Sequence, residues 1–255
     1  MFEGWIVLCS VRQRMGSLQL MEKETVTDKG TVMEKEILKV RETVMEAFPA
    51  FSKKLDTLDQ LLERNKLFAE GTLLDAKMAA VESGVEARKA LEEGQWPVAV
   101  VVCCSDSRVP PEVIFQVGLG KLFVVRTAGN RADADAILGS VQYAVCHLKT
   151  PLVMVLGHSS CGAMKAAIGA AKGEFPEEGA LKRYLESAAP LAKSVVERSG
   201  EDVSALVREN ISNVVGGLRA DPSMADKARV VGCVYDLKTG LVEVTDAVAK
   251  RGHES

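Results

Sequence analysis

The chain has 255 residues, 32 of them Lys or Arg and 35 Asp or Glu, for a formal net charge of −3. That balance argues against a general nucleic-acid binder, which carries a basic surplus. A 47% hydrophobic content with only 8 prolines excludes a mostly disordered chain, and no apolar run approaches the ~18 residues of a membrane span.

Residues 1–50 read as a leader followed by an amphipathic helix. Trp5-Ile6-Val7-Leu8 is a short apolar run preceded by Glu3, where a secretory signal calls for positive charge. Arg12 and Arg14 hint at an organelle transit segment. The expected location is therefore cytoplasmic, or an organelle stroma or matrix if that segment is a transit peptide. Met33, Ile37, Val40, Val44 and Phe48 step by three and four along one helical face, and Pro49 ends it. Residues 51–93 read as a helical arm of the main domain, 51–255. One helix starts near Ser52 with Leu55, Leu58, Leu61 and Leu62 on one face, and a softer helical stretch runs from about Leu73 to Glu93. The arm carries few groups able to do chemistry and is expected to pack on the body or on another subunit.

After Gly94-Gln95-Trp96-Pro97 the texture changes, opening a core over 94–246. Val98–Cys103, Lys121–Arg126, Pro151–Leu156 and Arg229–Tyr235 are continuous, β-branched apolar runs. Runs without alternation suit strands buried on both faces, as in a parallel sheet. Helical patterns separate them, over roughly 133–148, 161–171, 178–198 and 203–218. The alternation predicts an α/β fold with a mostly parallel central sheet flanked by helices and an N-terminal helical arm. Lys238-Thr239-Gly240 has the look of a hairpin turn closing the sheet.

Two segments directly follow predicted buried strands: Cys104-Ser105-Asp106-Ser107-Arg108 and Gly157-His158-Ser159-Ser160-Cys161-Gly162. Ligand sites in open α/β sheets form at the carboxyl ends of the strands. Together the segments offer Cys104, His158 and Cys161. Two thiolates and an imidazole suit zinc, and three protein ligands rather than four is the pattern of a catalytic site. With six cysteines and three histidines in the chain, reduced thiols acting partly as ligands are a better reading than a disulfide framework. Cys103 competes with Cys104, but adjacent strand residues face opposite ways. Cys104 is favoured because Asp106 and Arg108 follow it at alternate positions, on the same side of an extended chain. Cys161 opens a helix, whose N-terminus favours the thiolate. Arg108 beside Asp106 keeps that carboxylate ionised. It can accept a hydrogen bond from a reacting water, or swing in as a fourth ligand and close the site.

Cys104-x-Asp106-x-Arg108 followed by His158-x-x-Cys161-Gly162 resembles the signature of the β-class carbonic anhydrases. The resemblance extends over Gly94-Gln95-x-Pro97, Arg126-Thr-Ala-Gly-Asn130, Gly139–Leu148 and Val234–Gly240, and covers about Leu55 to Asp246. It implies a zinc enzyme, one Zn²⁺ per chain, for the reversible hydration of carbon dioxide to bicarbonate and a proton. Cys104, His158 and Cys161 would hold zinc, and Asp106 and Arg108 would orient a zinc-bound hydroxide. By the same resemblance Gln95, Phe123, Ala128, Tyr143 and Gly162 would bind substrate. Ala128 stands where plant-type relatives often carry valine. Val101 replaces the tryptophan that a bacterial subgroup uses in an inhibitory bicarbonate site, so an open site is expected. Some pocket residues reach across a subunit interface in the family, which implies a homodimer or homotetramer, with no nucleic-acid or membrane partner. Two thiolates neutralise the divalent charge, so turnover is expected to rise toward alkaline pH.

Rival readings are hydrolysis of carbonyl sulfide or carbon disulfide on the same scaffold, and a non-catalytic zinc protein. A thiol redox protein would want a Cys-x-x-Cys that Cys104 and Cys161 do not form. Away from the motifs, His147 reads as a core or capping residue. Cys146 and Cys233 read as small buried hydrophobes, and Tyr143 and Phe123 as core were it not for the resemblance.

Overall fold

The computed structural model describes residues 57–72, 83–175 and 178–245, all within the unit spanning 51–255. The leader, its amphipathic helix and Leu55 lie outside the described residues. Five strands build one sheet: β1 (Ala99–Cys104), β2 (Leu122–Thr127), β3 (Leu152–His158), β4 (Arg229–Tyr235) and β5 (Val242–Val244), in the order β2-β1-β3-β4-β5. The first four are parallel and β5 is antiparallel to β4. Every residue of β1 and β3 is buried, as their unbroken apolar sequences require. β4 and β5 form the expected hairpin. Gly240 takes φ +76 at its turn, and the Asp236 carboxylate accepts from the N–H groups of Lys238 and Thr239 at 2.9 and 2.7 Å.

Alternate residues of each strand feed two cores. Val100, Val102 and Cys104 face one core with Val153 and Val155. On that side lie α4 (Asp135–Cys146), α5 (Gly162–Ala171), α6 (Ala180–Ser199) and α7 (Val203–Ala220). Ala99, Val101 and Cys103 face the other core, closed by Leu58 and Leu61 of α1 (Thr57–Ala69) and Ile114 of α3 (Pro111–Ile114). The Asn65 side chain, 1% exposed, fastens α1 to the hairpin. It donates to the Gly240 carbonyl at 2.8 Å and accepts from the Val242 N–H at 2.7 Å, doing what a neighbouring strand would do.

Helix α7 packs on the sheet where two strand residues lack side chains. A Cβ added at Gly157 would stand 2.7 Å from Ile211 Cδ1, and one at Gly232 would stand 2.6 Å from Ile211 Cγ2. Ile211 thus seats over two glycines, and the register of α7 is fixed by the sheet.

The helix expected over Leu73–Glu93 is not continuous. Residues 73–82 lie outside the described residues, and beyond them stands the short α2 (Val85–Ala90), preceded by Gly84 in an extended conformation. Glycine at 84 lets the backbone leave helical geometry cheaply. The chain then turns at 91–93 before Pro97 leads into β1. No helix among the described residues is long and apolar enough to cross a membrane.

Candidate metal centre

The sheet order places the site. The connection after β1 runs to β2 on one side, and the connection after β2 returns across β1 to β3 on the other. The chain therefore diverges between β1 and β3, and a crevice forms at their carboxyl ends. Cys104 is the last residue of β1, His158 the last of β3, and Cys161 the N-cap of α5. One ligand atom from each lies within 4.8 Å of the others, and all three residues are buried. Strand alternation sends Cys103 into the opposite core, away from this cluster.

The turn joining His158 to Cys161 is held from β4. The Ser159 N–H donates to the Tyr235 carbonyl at 2.9 Å, and the Ser159 hydroxyl accepts from the Leu237 N–H at 2.9 Å. Ser160 takes φ 56 to bring Cys161 round. His158 is fully buried, with Nδ1 2.9 Å from the Ser159 carbonyl and Nε2 without a hydrogen-bond partner among the described residues. Satisfying that carbonyl puts the proton on Nδ1 and leaves an Nε2 lone pair aimed into the cluster.

The two thiols share one negative charge. The Cys104 thiol is lowered to about 4, chiefly because Cys161 donates to it; burial opposes this, and the Gly129 N–H assists. Gly129 N lies 3.2 Å from Cys104 Sγ. Cys161 moves the other way, raised first by that same hydrogen bond and then by burial. The Met164 and Ala163 N–H groups do pull in the expected direction, but the bond to Cys104 outweighs them.

Asp106 and Arg108 come together through a turn, not along an extended strand as expected. The Val109 N–H donates to the Asp106 carbonyl at 3.0 Å, and the Arg108 N–H to Asp106 Oδ1 at 2.9 Å. The guanidinium then grips both carboxylate oxygens, Nε to Oδ1 at 2.9 Å and Nη2 to Oδ2 at 2.7 Å. That bond holds the Asp106 carboxyl well below the usual carboxylate range, against a smaller burial effect. Asp106 Oδ2 lies 4.0 Å from His158 Nε2, so the carboxylate borders the donor cluster without joining it. Arg126 braces the strand end, donating to the Cys104 carbonyl at 3.0 Å and the Asp106 carbonyl at 2.6 Å.

Of the remaining sequence candidates, Gly162 follows Cys161 and Ala128 precedes Gly129 along the chain, while Gln95, Phe123 and Tyr143 are tied to the cluster by no hydrogen bond among the described residues. Gln95 is exposed in the loop before β1. Phe123 on β2 packs against Tyr143 on α4 with ring centroids 6.2 Å apart, and Tyr143 is 49% exposed, not core. Ala128 is exposed and its carbonyl accepts from the Tyr184 hydroxyl. Gly162 is the first residue of α5, exposed, with open space where a side chain would go. His147 caps the end of α4 but is exposed. Cys146 is half-buried, not buried, and its thiol donates to the Ser223 carbonyl at 3.3 Å. Cys233 is fully buried as expected.

Gly129 was not singled out from the sequence. Its φ of +71 is a left-handed conformation, and a Cβ there would stand 2.5 Å from Met164 Cε and 3.2 Å from Ala163 Cβ. A glycine two residues past the end of β2, followed by asparagine where the chain must turn, is the signal that could have found it.

The donor set fits zinc. Bond lengths of about 2.3 Å to sulfur and 2.0 Å to nitrogen put tetrahedral ligands roughly 3.3–3.8 Å apart. Donor atoms already within 4.8 Å need little movement. A fully buried, unpartnered Nε2 is costly unless something accepts its lone pair, and two soft sulfurs select zinc over hard cations.

Residues 99–242 match a protein-family model described as Carbonic anhydrase. The carbonic anhydrase of Mycolicibacterium smegmatis is 40% identical over 168 residues, covering 63% of this chain and 81% of the relative. Carbonic anhydrase 2 of Mycobacterium tuberculosis is 38% identical over 180 residues, covering 67% and 84%. Among solved structures, a β-carbonic anhydrase of Aspergillus fumigatus superposes with a TM-score of 0.58 at 25% identity, over 76% of this chain and 93% of that one. The Coccomyxa β-carbonic anhydrase in complex with acetazolamide gives 0.56 at 26% identity, over 74% and 86%.

Proposed function

Because this chain belongs to the carbonic anhydrase family, in its β class, we propose that it catalyses the reversible hydration of carbon dioxide to bicarbonate and a proton at the Cys104–His158–Cys161 centre. The observation that carries this reading is the meeting, at one strand crevice, of three buried donor atoms and a carboxylate held ionised beside them. Bound by Cys104, His158 and Cys161, zinc would supply a Lewis acid that brings the pKa of a water molecule toward neutrality.

The chain's own groups do the positioning. Asp106 is ionised and therefore acceptor-only, so it takes a hydrogen bond from the reacting water and fixes the direction of its lone pair. Arg108 has two roles. It keeps Asp106 charged, and by engaging both carboxylate oxygens it keeps Asp106 out of the donor set. Carbon dioxide is small and apolar, so Phe123, Ala128 and Tyr143 suffice as walls, with Gln95 and Gly162 as polar contacts for the product.

In a single chain Gln95, Ala128 and Tyr143 remain exposed, and β2 pairs only with β1 among the described residues. Both features support a pocket completed by a second copy, in a homodimer or homotetramer. The test is carbon dioxide hydration by the zinc-loaded chain beside Asp106→Asn. The variant should retain zinc and lose most turnover, and full turnover would remove Asp106 from the mechanism.

A further inference from the structure

We propose that Asn210 of α7 is a positioning residue for the Cys104 sulfur, acting through the backbone of Gly129. The inference rests on the reading of Cys104 as a metal ligand and deepens it.

The Asn210 amide Nδ2 donates to the Gly129 carbonyl at 3.0 Å, across 81 residues of sequence. The N–H of that same Gly129 donates to Cys104 Sγ at 3.2 Å. The carbonyl of the preceding residue, Ala128, accepts from the Tyr184 hydroxyl of α6. The two peptide groups flanking the Gly129 α-carbon are therefore each anchored, one by Tyr184 and one by Asn210. What they fix between them is the direction of the N–H that meets the sulfur.

The anchor is needed because the residue is glycine. Gly129 sits at φ +71, ψ 25, a conformation glycine enters and leaves more freely than any other residue. The N–H belongs to the Ala128–Gly129 peptide, so Tyr184 holds its plane directly while Asn210 holds the Gly129–Asn130 peptide; with that second anchor gone the chain can turn about the Gly129 φ and ψ bonds, and the turn that carries the N–H against the sulfur loosens. Asn210 is 4% exposed and sits in the interior of α7, a position where asparagine is a poor helix former. Local propensity does not explain it; the hydrogen bond does.

Its placement is rigid. The next residue is Ile211, whose side chain seats over Gly157 and Gly232, so a slide of α7 would collide with the strand that ends in His158. Partners that orient a ligand from outside the metal's own ligand set typically change metal affinity by about 10- to 100-fold when removed.

The experiment uses the full chain loaded with zinc, and Asn210→Leu, which matches the volume without the donor. Asn210→Ser, with room for a water at the vacated amide, is read in its place if the leucine variant does not fold. Zinc affinity is measured by chelator competition, and the sulfur-to-metal absorption band is recorded after Co²⁺ substitution. The control is Asn213→Leu, an exposed position on the same helix. The expected result is a zinc affinity weakened toward the lower end of that range, roughly 10-fold, because Asn210 acts through Gly129, and a shifted Co²⁺ band for the Asn210 variant, with the control equal to wild type. An Asn210 variant that is less stable to urea yet keeps wild-type affinity and an unchanged Co²⁺ band would overturn the inference, leaving a purely structural hydrogen bond. A wild-type chain that binds no zinc, or a Cys104→Ala chain that binds it equally well, would instead refute the centre itself.

Discussion

Gly129→Ala offers a sharp test of how the turn after β2 is built. The substitution has two costs that the structure separates. The backbone term comes from φ +71: a left-handed conformation costs a non-glycine residue about 1–2 kcal/mol. The packing term is smaller than the 2.5 Å approach to Met164 suggests. That contact is with Cε, the far end of a flexible side chain, which can swing aside. Ala163 Cβ at 3.2 Å must yield by a few tenths of an ångström, and together these add about 1 kcal/mol. The expected loss is therefore about 2–3 kcal/mol, or a fall in Tm of roughly 5–10 °C for a domain of this size. Urea unfolding of the metal-free chain measures it without interference from ligand stabilisation. Gly162→Ala is the internal comparison, since its added methyl meets nothing within 4 Å, and its stability should stay within about 0.5 kcal/mol of wild type. Equal stability of the two variants would refute the reasoning, because it would mean that neither the left-handed backbone nor the Met164 contact is real in solution.

The site itself supports four other expected outcomes. Cys104→Ala and Cys161→Ala should each lose zinc and turnover together, read by metal analysis and stopped-flow hydration on the same preparations. In the metal-free chain an ultraviolet thiolate signal should persist through about pH 6–8, where an ordinary cysteine near 8.5 is still mostly protonated, and Cys104→Ala should remove it. The Asp106 carboxyl is depressed on folding, so the stability it contributes is present above its unfolded value near 3.9 and lost as pH falls toward the folded value. Urea titrations between about pH 4 and pH 2 should accordingly show a steeper loss for wild type than for Asp106→Asn. Gln95→Ala should lower turnover at unchanged zinc content; a variant with full activity would take Gln95 out of the substrate pocket.

The strands were legible because their chemistry is local. Val98–Cys103 and Pro151–Leu156 can be continuous and apolar only if both faces are buried, and β1 and β3 are. Strand alternation implied that only one of Cys103 and Cys104 faces the site, and the two separate cores display that alternation; the preference for Cys104 leaned on an extended Asp106–Arg108 segment that is a turn instead. Other features depend on distant parts of the chain and carry no period. The contact of Asn210 with Gly129 spans 81 residues. The hydrogen bonds that tie Cys104 to Cys161 and to the Gly129 N–H are a consequence of three segments meeting. Asp106 and Arg108 pair as expected, but through a turn in which the Arg108 N–H bonds its partner's carboxylate, which alternation alone does not reveal. Tyr143 has an aromatic side chain that suits a core, yet β2 is a sheet edge among the described residues and the ring packed on its Phe123 stays half-exposed.

The most direct test of the account is stopped-flow carbon dioxide hydration in alkaline buffer, on protein whose zinc has been counted. The predicted result is rapid hydration with about one zinc per chain, as one three-ligand centre requires, and loss of both in Cys104→Ala. Stoichiometric zinc held by Cys104 without hydration of carbon dioxide would contradict it.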